Sequence, residues 1–352
     1  MKRRNVLGIK ICTLLVVLGV GFGGCGKKSD VALNEGMQYI AVLDYQAAMA
    51  SFDVAEANGE DARLIARGRG IACMGLTDYE SAVTYFLDCL SLSNGVVGAM
   101  DYDVNYYLAA AYQKMEMYAE AESVYDAILA LRPEETDAYY LRGNARLKQG
   151  DYQAAKEDFD KIVEVEPNNY KRLIEIYEVL YAEGYRGMGV EYLEAALEKK
   201  SSKMTAFDEG LIHYYLGNYE QAQINLEKAK SSGEPDTYLY LGMAYEATGD
   251  YNYAITNVYT AYLAKNDGNA EIYNQLGLCY MKQAEYTLAL EAFQNAMKIE
   301  NNGMMQTLQF NEIIAYEYLG EYTQAAVLLD NYLKTYPDDE VAKREYEFLS
   351  TR

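Results

Sequence analysis

The sequence predicts an all-α protein built from a series of similar two-helix units. Helix-forming Ala, Leu, Glu, Gln and Met recur along the whole chain, whereas Pro occurs only 4 times in 352 residues. The alternation of Val, Ile and Thr with polar residues that is typical of strands is scarce. A ten-residue pattern with Tyr at its third place also returns every 32 to 39 residues, and such a period indicates a solenoid.

The first residues predict a segment separate from this body. Residues 1–24 contain four basic residues near the start, no acid, and an apolar run over 11–22. This run is too short for a comfortable transmembrane helix, which needs about 20 residues. A basic start, a short apolar run and small residues at the end are typical of a secretory signal peptide.

The end of this segment, Gly23-Gly24-Cys25, resembles a bacterial lipoprotein signal, in which the Cys is lipidated and becomes the mature N-terminus. The resemblance implies a lipid anchor at Cys25 and a short tether over 25–29. It also implies an extracytoplasmic location at the cell membrane of a bacterium. An ordinary secreted protein and an uncleaved signal anchor are the open alternatives.

The charge of the chain bears on its partners. There are 31 Lys and Arg residues against 53 Asp and Glu residues, for a formal net charge of −22. Nucleic acid and anionic lipid surfaces repel such a chain, so neither is expected as a partner. Most of the acids are expected to solvate outer helix faces, and a charged partner is expected to be basic.

The repeated pattern predicts two packed helices per unit. In seven of the nine units a small residue precedes the Ala of the second helix by twelve positions, as Gly143 precedes Ala155, whereas the last unit has Ile313 at this place. Because Gly in a helix costs about 1 kcal/mol relative to Ala, its recurrence predicts a close approach of the two helices at these pairs. A weaker copy reverses the sizes, with Tyr177 on the first helix and Gly189 on the second. The copies align on Tyr45, Tyr79, Tyr118, Tyr152, Arg186 (the weaker copy), Tyr219, Tyr251, Tyr286 and Tyr322.

This period and these residues resemble the tetratricopeptide repeat over residues 30–339. The shared features are Leu-Gly in the first helix (Leu241-Gly242, Leu276-Gly277), a later large residue (Phe52, Phe86, Tyr125, Phe159, Phe293) and Pro at the end of a unit (Pro133, Pro167, Pro337). The resemblance implies a right-handed α-solenoid of about nine helix-turn-helix repeats whose first helices line a concave groove. Residues 340–352 are predicted to form a C-terminal capping helix, and the insertion at 91–100 is a candidate hinge.

The sequence contains little that suggests catalysis. Its one His, His213, is interpreted as a packed or water-bonded core residue. Cys73 and Cys89 are predicted to lie on facing helices of one unit, either as a disulfide or as two small buried residues. No phosphate-binding Gly motif or metal-ligand cluster is found, so no enzymatic activity, metal or cofactor is expected.

Function is therefore expected to be recognition of a protein or an extended peptide of the cell envelope, with no small-molecule substrate. Asn can bond a peptide backbone and Tyr offers a rigid amphipathic surface. A glycan- or peptidoglycan-binding module and an accessory lipoprotein of an envelope assembly machine are the alternatives. By the resemblance, the groove residues are Tyr106, Tyr107, Tyr140, Asn144, Phe207, Tyr214, Tyr240, Asn274, Phe310 and Asn311.

Overall fold

The computed structural model describes residues 30–351, so the signal segment 1–24, Cys25 and the tether 25–29 lie outside this range. The described residues form helices and turns, without a strand among them. The described residues divide into two compact units, with the boundary between Val124 and Tyr125. The all-α fold class and the series of helix pairs predicted from the sequence are confirmed.

Nine helix pairs and one terminal helix follow one another along the described chain. They are α1 (Val31–Ala41) with α2 (Tyr45–Ala57), α3 (Ala62–Gly75) with α4 (Tyr79–Ser91), α5 (Ala99–Lys114) with α6 (Tyr118–Leu131), α7 (Thr136–Lys148) with α8 (Tyr152–Val165), and α9 (Tyr170–Ala182) with α10 (Arg186–Glu198). Next are α11 (Ala206–Leu216) with α12 (Tyr219–Ala229), α13 (Pro235–Ala247) with the composite helix α14 (Tyr251–Tyr253), π-helical Ala254–Tyr259 and α15 (Thr260–Leu263), α16 (Ala270–Lys282) with α17 (Tyr286–Met297), α18 (Met305–Tyr318) with α19 (Tyr322–Thr335), and finally α20 (Glu340–Leu349).

The second helix of each pair begins at the residue on which the copies align. The turn before that helix is determined by neighbouring backbone and side-chain groups. In the fourth pair the chain turns through the left-handed region at Gly150, with φ of 82°. The carboxylate of Asp151 then accepts a hydrogen bond of 3.1 Å from the backbone N–H of Ala154 and caps α8. Gly150 and Asp151 thus form the turn, and the second helix begins at Tyr152.

The recurring Gly makes room for an aromatic ring. A Cβ atom on Gly143 would lie 2.7 Å from Cε1 of Phe159, which follows it by sixteen residues on the second helix. Phe159 is thus the side chain that lies nearest to the Gly, and the contact predicted between Gly143 and Ala155 stays a prediction. The same relation joins Gly36 to Phe52, Gly70 to Phe86, Gly210 to Leu226 and Gly277 to Phe293.

Two pairs vary this contact. In the fifth pair the sizes are reversed as predicted, because a Cβ on Gly189 would lie 3.0 Å from Cδ2 of Tyr177. In the seventh pair the π-helical segment Ala254–Tyr259 adds one residue to the spacing. Tyr259 rather than Val258 consequently fills the place opposite Gly242, where a Cβ would lie 2.1 Å from its Cζ.

The insertion at 91–100 lies inside the first compact unit, and the candidate hinge assigned to it is not where the chain divides. Arg63 holds the two flanks of the insertion together. Its Nε donates to the carbonyl oxygen of Cys89 at 3.1 Å, and its Nη2 pairs with Asp101 at 2.5 Å. The boundary between the units falls further on, within α6.

The C-terminal segment forms α20 and covers the last apolar face. Ala342 and Leu349 are buried in a cluster with Ile313, Leu329 and Tyr332. Solenoids need such a terminal helix because the final repeat has no neighbour to bury its core side. Within residues 30–351, no helix combines the length and the apolar character that crossing a membrane requires.

Cys73 and Cys89 are both free and buried, which agrees with the interpretation as two small core residues. Burial raises the pKa of the Cys73 thiol to about 11. Among the described residues, no group of three or more His, Cys, Asp and Glu is arranged to hold a metal ion.

Candidate partner-binding face

The residues predicted to bind a partner all lie on first helices. Tyr106 and Tyr107 belong to α5 in the first compact unit, and the remaining eight lie on α7, α11, α13, α16 and α18 in the second. We call the side chains that link consecutive first helices of the second unit the first-helix face. Asn274 is buried and the other predicted residues are half-buried.

Arg172 joins the first helices α7 and α9. Its guanidinium pairs with the carboxylates of Asp137 and, at 2.9 Å, Glu175. The same group lies 4.6 Å from the ring centroid of Tyr140, a cation–π distance. The predicted residue Tyr140 is thus covered on one face by a cation of the protein itself.

Three Tyr residues form the centre of the face. Tyr214 packs edge-to-face on Tyr240 with ring centroids 5.3 Å apart, so the structure brings two of the predicted residues together. Tyr215 lies between them and the preceding helix pair. Its hydroxyl donates to Oε1 of Glu178 at 2.7 Å and lies 3.1 Å from the hydroxyl of Tyr240. We call Tyr214, Tyr215 and Tyr240 the tyrosine cluster.

Glu246 is the polar anchor of the next part of the face. It accepts hydrogen bonds from the hydroxyl of Tyr259 at 2.6 Å and from Nε2 of Gln275 at 3.0 Å. The first donor comes from the second helix of its own pair and the second from α16. One carboxylate therefore ties three helices together.

Asn274 and Asn311 bond to each other and not to open space. Nδ2 of Asn311 donates to Oδ1 of Asn274 at 2.8 Å, and Asn274 is only 7% exposed. The interpretation of Asn274 as a groove-exposed donor is therefore wrong. A buried amide needs an internal partner, and the neighbouring first helix supplies one.

The other predicted residues lie apart from the tyrosine cluster or at its edge. Tyr107 stacks on Phe86 with centroids 5.6 Å apart, and Phe310 packs against Tyr332 at 5.8 Å. Phe207 packs against the apolar core beneath Tyr240. Tyr106 and Asn144 are half-buried on α5 and α7.

The contributors to the face that were not predicted from the sequence include Arg172, Glu178, Tyr215 and Glu246. The repeat register contains a signal for two of them. Glu178 directly follows the small-residue place of its unit, as Asn144 does, and Glu246 follows Gly242 by the four positions that separate Tyr214 from Gly210. Carboxylates therefore occupy places in the repeat at which other units have the aromatic or amide residues that were predicted.

The tyrosine cluster is uncharged and lies beside the carboxylate of Glu178. Burial raises the pKa of Tyr215, and the neighbouring Tyr240 and Glu178 act in the same direction. Burial also raises the pKa of Tyr214 and Tyr240, so the rings are neutral phenols, and Tyr215 donates to the carboxylate of Glu178. His213 adds no charge at neutral pH because burial lowers its pKa.

This arrangement defines a helical-repeat scaffold that binds proteins. Its polar side chains form hydrogen bonds between consecutive first helices. These hydrogen bonds stiffen a surface of aromatic rings and carboxylates. Rigid aromatic surfaces of this kind give contact area to a partner at low cost in conformational entropy.

The chain belongs to the tetratricopeptide repeat family. Five family models described as "Tetratricopeptide repeat" match residues 108–139, 136–169, 207–270, 270–302 and 309–339, which together are more than half of the chain. The predicted resemblance to this family is thereby confirmed.

The curated relatives match only a part of this chain in sequence. RNA polymerase II-associated protein 3 of Xenopus tropicalis is 32% identical over 149 residues, which are 42% of this chain and 20% of that protein. The chain thus spans about a fifth of the length of that curated relative. Yeast Tom70 is similar in structure with a TM-score of 0.50 and 15% identity, covering 92% of this chain and 88% of that one, and this shows the fold. A tetratricopeptide repeat protein from Parabacteroides merdae has a TM-score of 0.45 and 16% identity, covering 81% of this chain and 98% of that one.

Proposed function

We propose that this protein is a membrane-anchored, extracytoplasmic scaffold that binds a protein or peptide partner of the bacterial cell envelope through its first-helix face. The observation that carries the binding role is the tyrosine cluster, three half-buried rings on the adjacent first helices α11 and α13. The location rests on the signal-like residues 1–24 and on Cys25 as the lipidated residue.

Site-specific crosslinking in intact cells tests the binding role. A photo-crosslinking amino acid replaces Tyr240 on the face or, as a matched control, Glu157 on the exposed side of α8. We expect one defined protein to be crosslinked from position 240 and not from position 157. The same products from both positions would contradict a specific binding face.

Fractionation tests the anchor separately. The full-length protein is expected in the membrane fraction, and Cys25→Ala is expected to release it, because the lipid on Cys25 is the proposed attachment. An unchanged membrane fraction of the variant would rule out lipidation at Cys25. A glycan-binding module would instead sediment with protein-free peptidoglycan and lose this on Tyr214→Ala and Tyr240→Ala.

A further inference from the structure

The two helices that carry the tyrosine cluster have acidic side chains and no Lys or Arg. The helices α11 and α13 together contain Asp208, Glu209, Asp236 and Glu246 and no Lys or Arg. Glu209 is neutralised by Lys200 at 2.6 Å, and Asp208 caps its own helix through Thr205. The negative charge left at the face is therefore not matched by a cation on either helix.

Two carboxylates flank the cluster and accept hydrogen bonds from neutral donors. Glu178 accepts from Tyr215, and Glu246 accepts from Tyr259 and Gln275. Neutral donors orient a carboxylate without cancelling its charge, so both acids contribute attraction for a cation that lies over the rings.

Between α7 and α9, a combination of a phenol ring and two acids already holds a cation of the protein itself. There, Tyr140 and the acids Asp137 and Glu175 surround the guanidinium of Arg172, which the protein supplies itself. Around Tyr214 and Tyr240 the same combination of phenol rings and carboxylates is present, but α11 and α13 supply no such guanidinium. The two places are not equivalent in the repeat, where Tyr140 aligns with Phe207, but they share this chemistry, and neither α11 nor α13 supplies the cation.

We propose that the tyrosine cluster binds a Lys or Arg side chain of an extended partner segment, held over Tyr214 and Tyr240 between Glu178 and Glu246. The inference rests on the proposed binding function and specifies the chemistry of the partner. A cation over a phenol ring is attracted by the negative face of the π-system, and more strongly where water is excluded. The overall charge of −22 favours approach of the same basic segment.

The probes that test this are short Ser- and Gly-rich peptides that carry Arg residues or, at the same places, citrulline, its neutral isostere. Fluorescence anisotropy at physiological salt is expected to show the Arg peptide binding about tenfold more tightly than the citrulline peptide. We expect Tyr214→Leu, Glu178→Gln and Glu246→Gln to reduce this preference. Tyr214→Phe, which keeps the ring, should retain it.

Glu157→Gln is the charge control, because Glu157 is exposed on α8 and away from the face. Equal binding of the two peptides would overturn the proposal. So would an equal loss in Glu157→Gln and Glu246→Gln, since this would indicate attraction by net charge alone. Circular dichroism of each variant verifies the fold, and Glu178→Gln provides an independent readout if Glu246→Gln unfolds.

The crosslinking experiment at position 240 separates this inference from the proposed function. A crosslinked partner segment that contains Lys or Arg at the photoproduct supports both. A segment without a basic residue overturns the cation site and leaves protein binding in place. No crosslinked protein at all contradicts the proposed function itself.

Discussion

Tyr259 donates a hydrogen bond of 2.6 Å to Oε1 of Glu246, and it does so from a π-helical turn in the second helix of the seventh pair. The turn shifts the chain by one residue, so that the ring fills the space opposite Gly242. The hydroxyl of the same side chain then reaches the first-helix face, where Gln275 donates to the same carboxylate. A core residue thereby orients an acid of the proposed cation site.

Tyr259→Phe should destabilise the second unit by about 1–3 kcal/mol, because it removes one buried donor and keeps the ring. Urea unfolding followed by circular dichroism measures the change. Tyr253→Phe is the matched control, since its hydroxyl makes a longer, partly buried contact of 3.3 Å to Glu227. We expect that control to lose less, and an equal loss in both would argue against a special role of the Tyr259 hydrogen bond.

Gly143→Ala should lower the free energy of unfolding by about 1–3 kcal/mol, because the added methyl group collides with the ring of Phe159. Gly187 in α10 provides a control for which the expected change in the free energy of unfolding has the opposite sign. A Cβ there meets nothing within 4 Å, so Gly187→Ala should stabilise by up to about 1 kcal/mol through helix propensity alone. Thermal unfolding of both variants measures the difference, and two shifts of the same sign would contradict the packing argument.

These contacts also show where sequence reasoning succeeds and where it stops. The start of α8 at Tyr152 was predictable, because Gly150 and Asp151 determine the turn through local backbone and capping chemistry. The partner of Gly143 was not, since Ala155 and Phe159 are one helical turn apart and lie on the same face.

Two further differences have the same kind of cause. The π-helical turn changes the register by one residue, and a period that varies from 32 to 39 residues conceals such a shift. The pairing of Asn274 with Asn311 depends on the distance between helices of consecutive units. A repeat register predicts on which face of its helix a residue lies. It does not predict the distance between two helices.

In some pairs the turn residue with positive φ is not a Gly, although Gly adopts this conformation with the least strain. Ala284 has φ of 59° at the place that Gly249 occupies in the preceding pair with φ of 86°. Ala284→Gly should therefore stabilise by up to about 1 kcal/mol, whereas Gly249→Ala should destabilise by about the same amount. Chemical denaturation of the two variants is the measurement, and stabilisation by both would show that the turn conformation does not limit stability here.

Asp158 is the most buried acid of an ion network between α7 and α8. It is 2% exposed and pairs with Nη2 of Arg142 at 2.5 Å and with Nη1 of Arg146 at 3.0 Å. Asp158→Ala should destabilise by about 3–5 kcal/mol, because two guanidinium groups then lose their shared buried anion. Glu164→Gln, at an exposed pair with Lys161, should cost less than about 1 kcal/mol. Comparable losses from these two substitutions, measured by urea unfolding, would mean that the buried network is as weak as a surface pair.

Docking of the C-terminal helix is expected to weaken as pH rises. Glu317 on α18 faces Glu345 on α20, and its pKa is raised to about 8 by burial and then by the charge of Glu345 and a hydrogen bond with it. A Glu whose pKa is higher in the docked state than its ordinary value of 4.5 holds its proton longer when α20 is docked than when it is detached. The free energy of opening should consequently fall between pH 4.5 and about pH 8, and stay level above that range.

Hydrogen exchange of the α20 amides, corrected for the intrinsic pH dependence of exchange, measures this opening directly. Glu317→Gln cannot lose a proton and should make the protection of α20 nearly independent of pH. Glu347→Gln changes the same charge at an exposed place on α20 and should leave the pH dependence as it is. If protection in Glu317→Gln still falls between pH 5 and pH 8, a group other than the Glu317–Glu345 pair controls the docking of this helix.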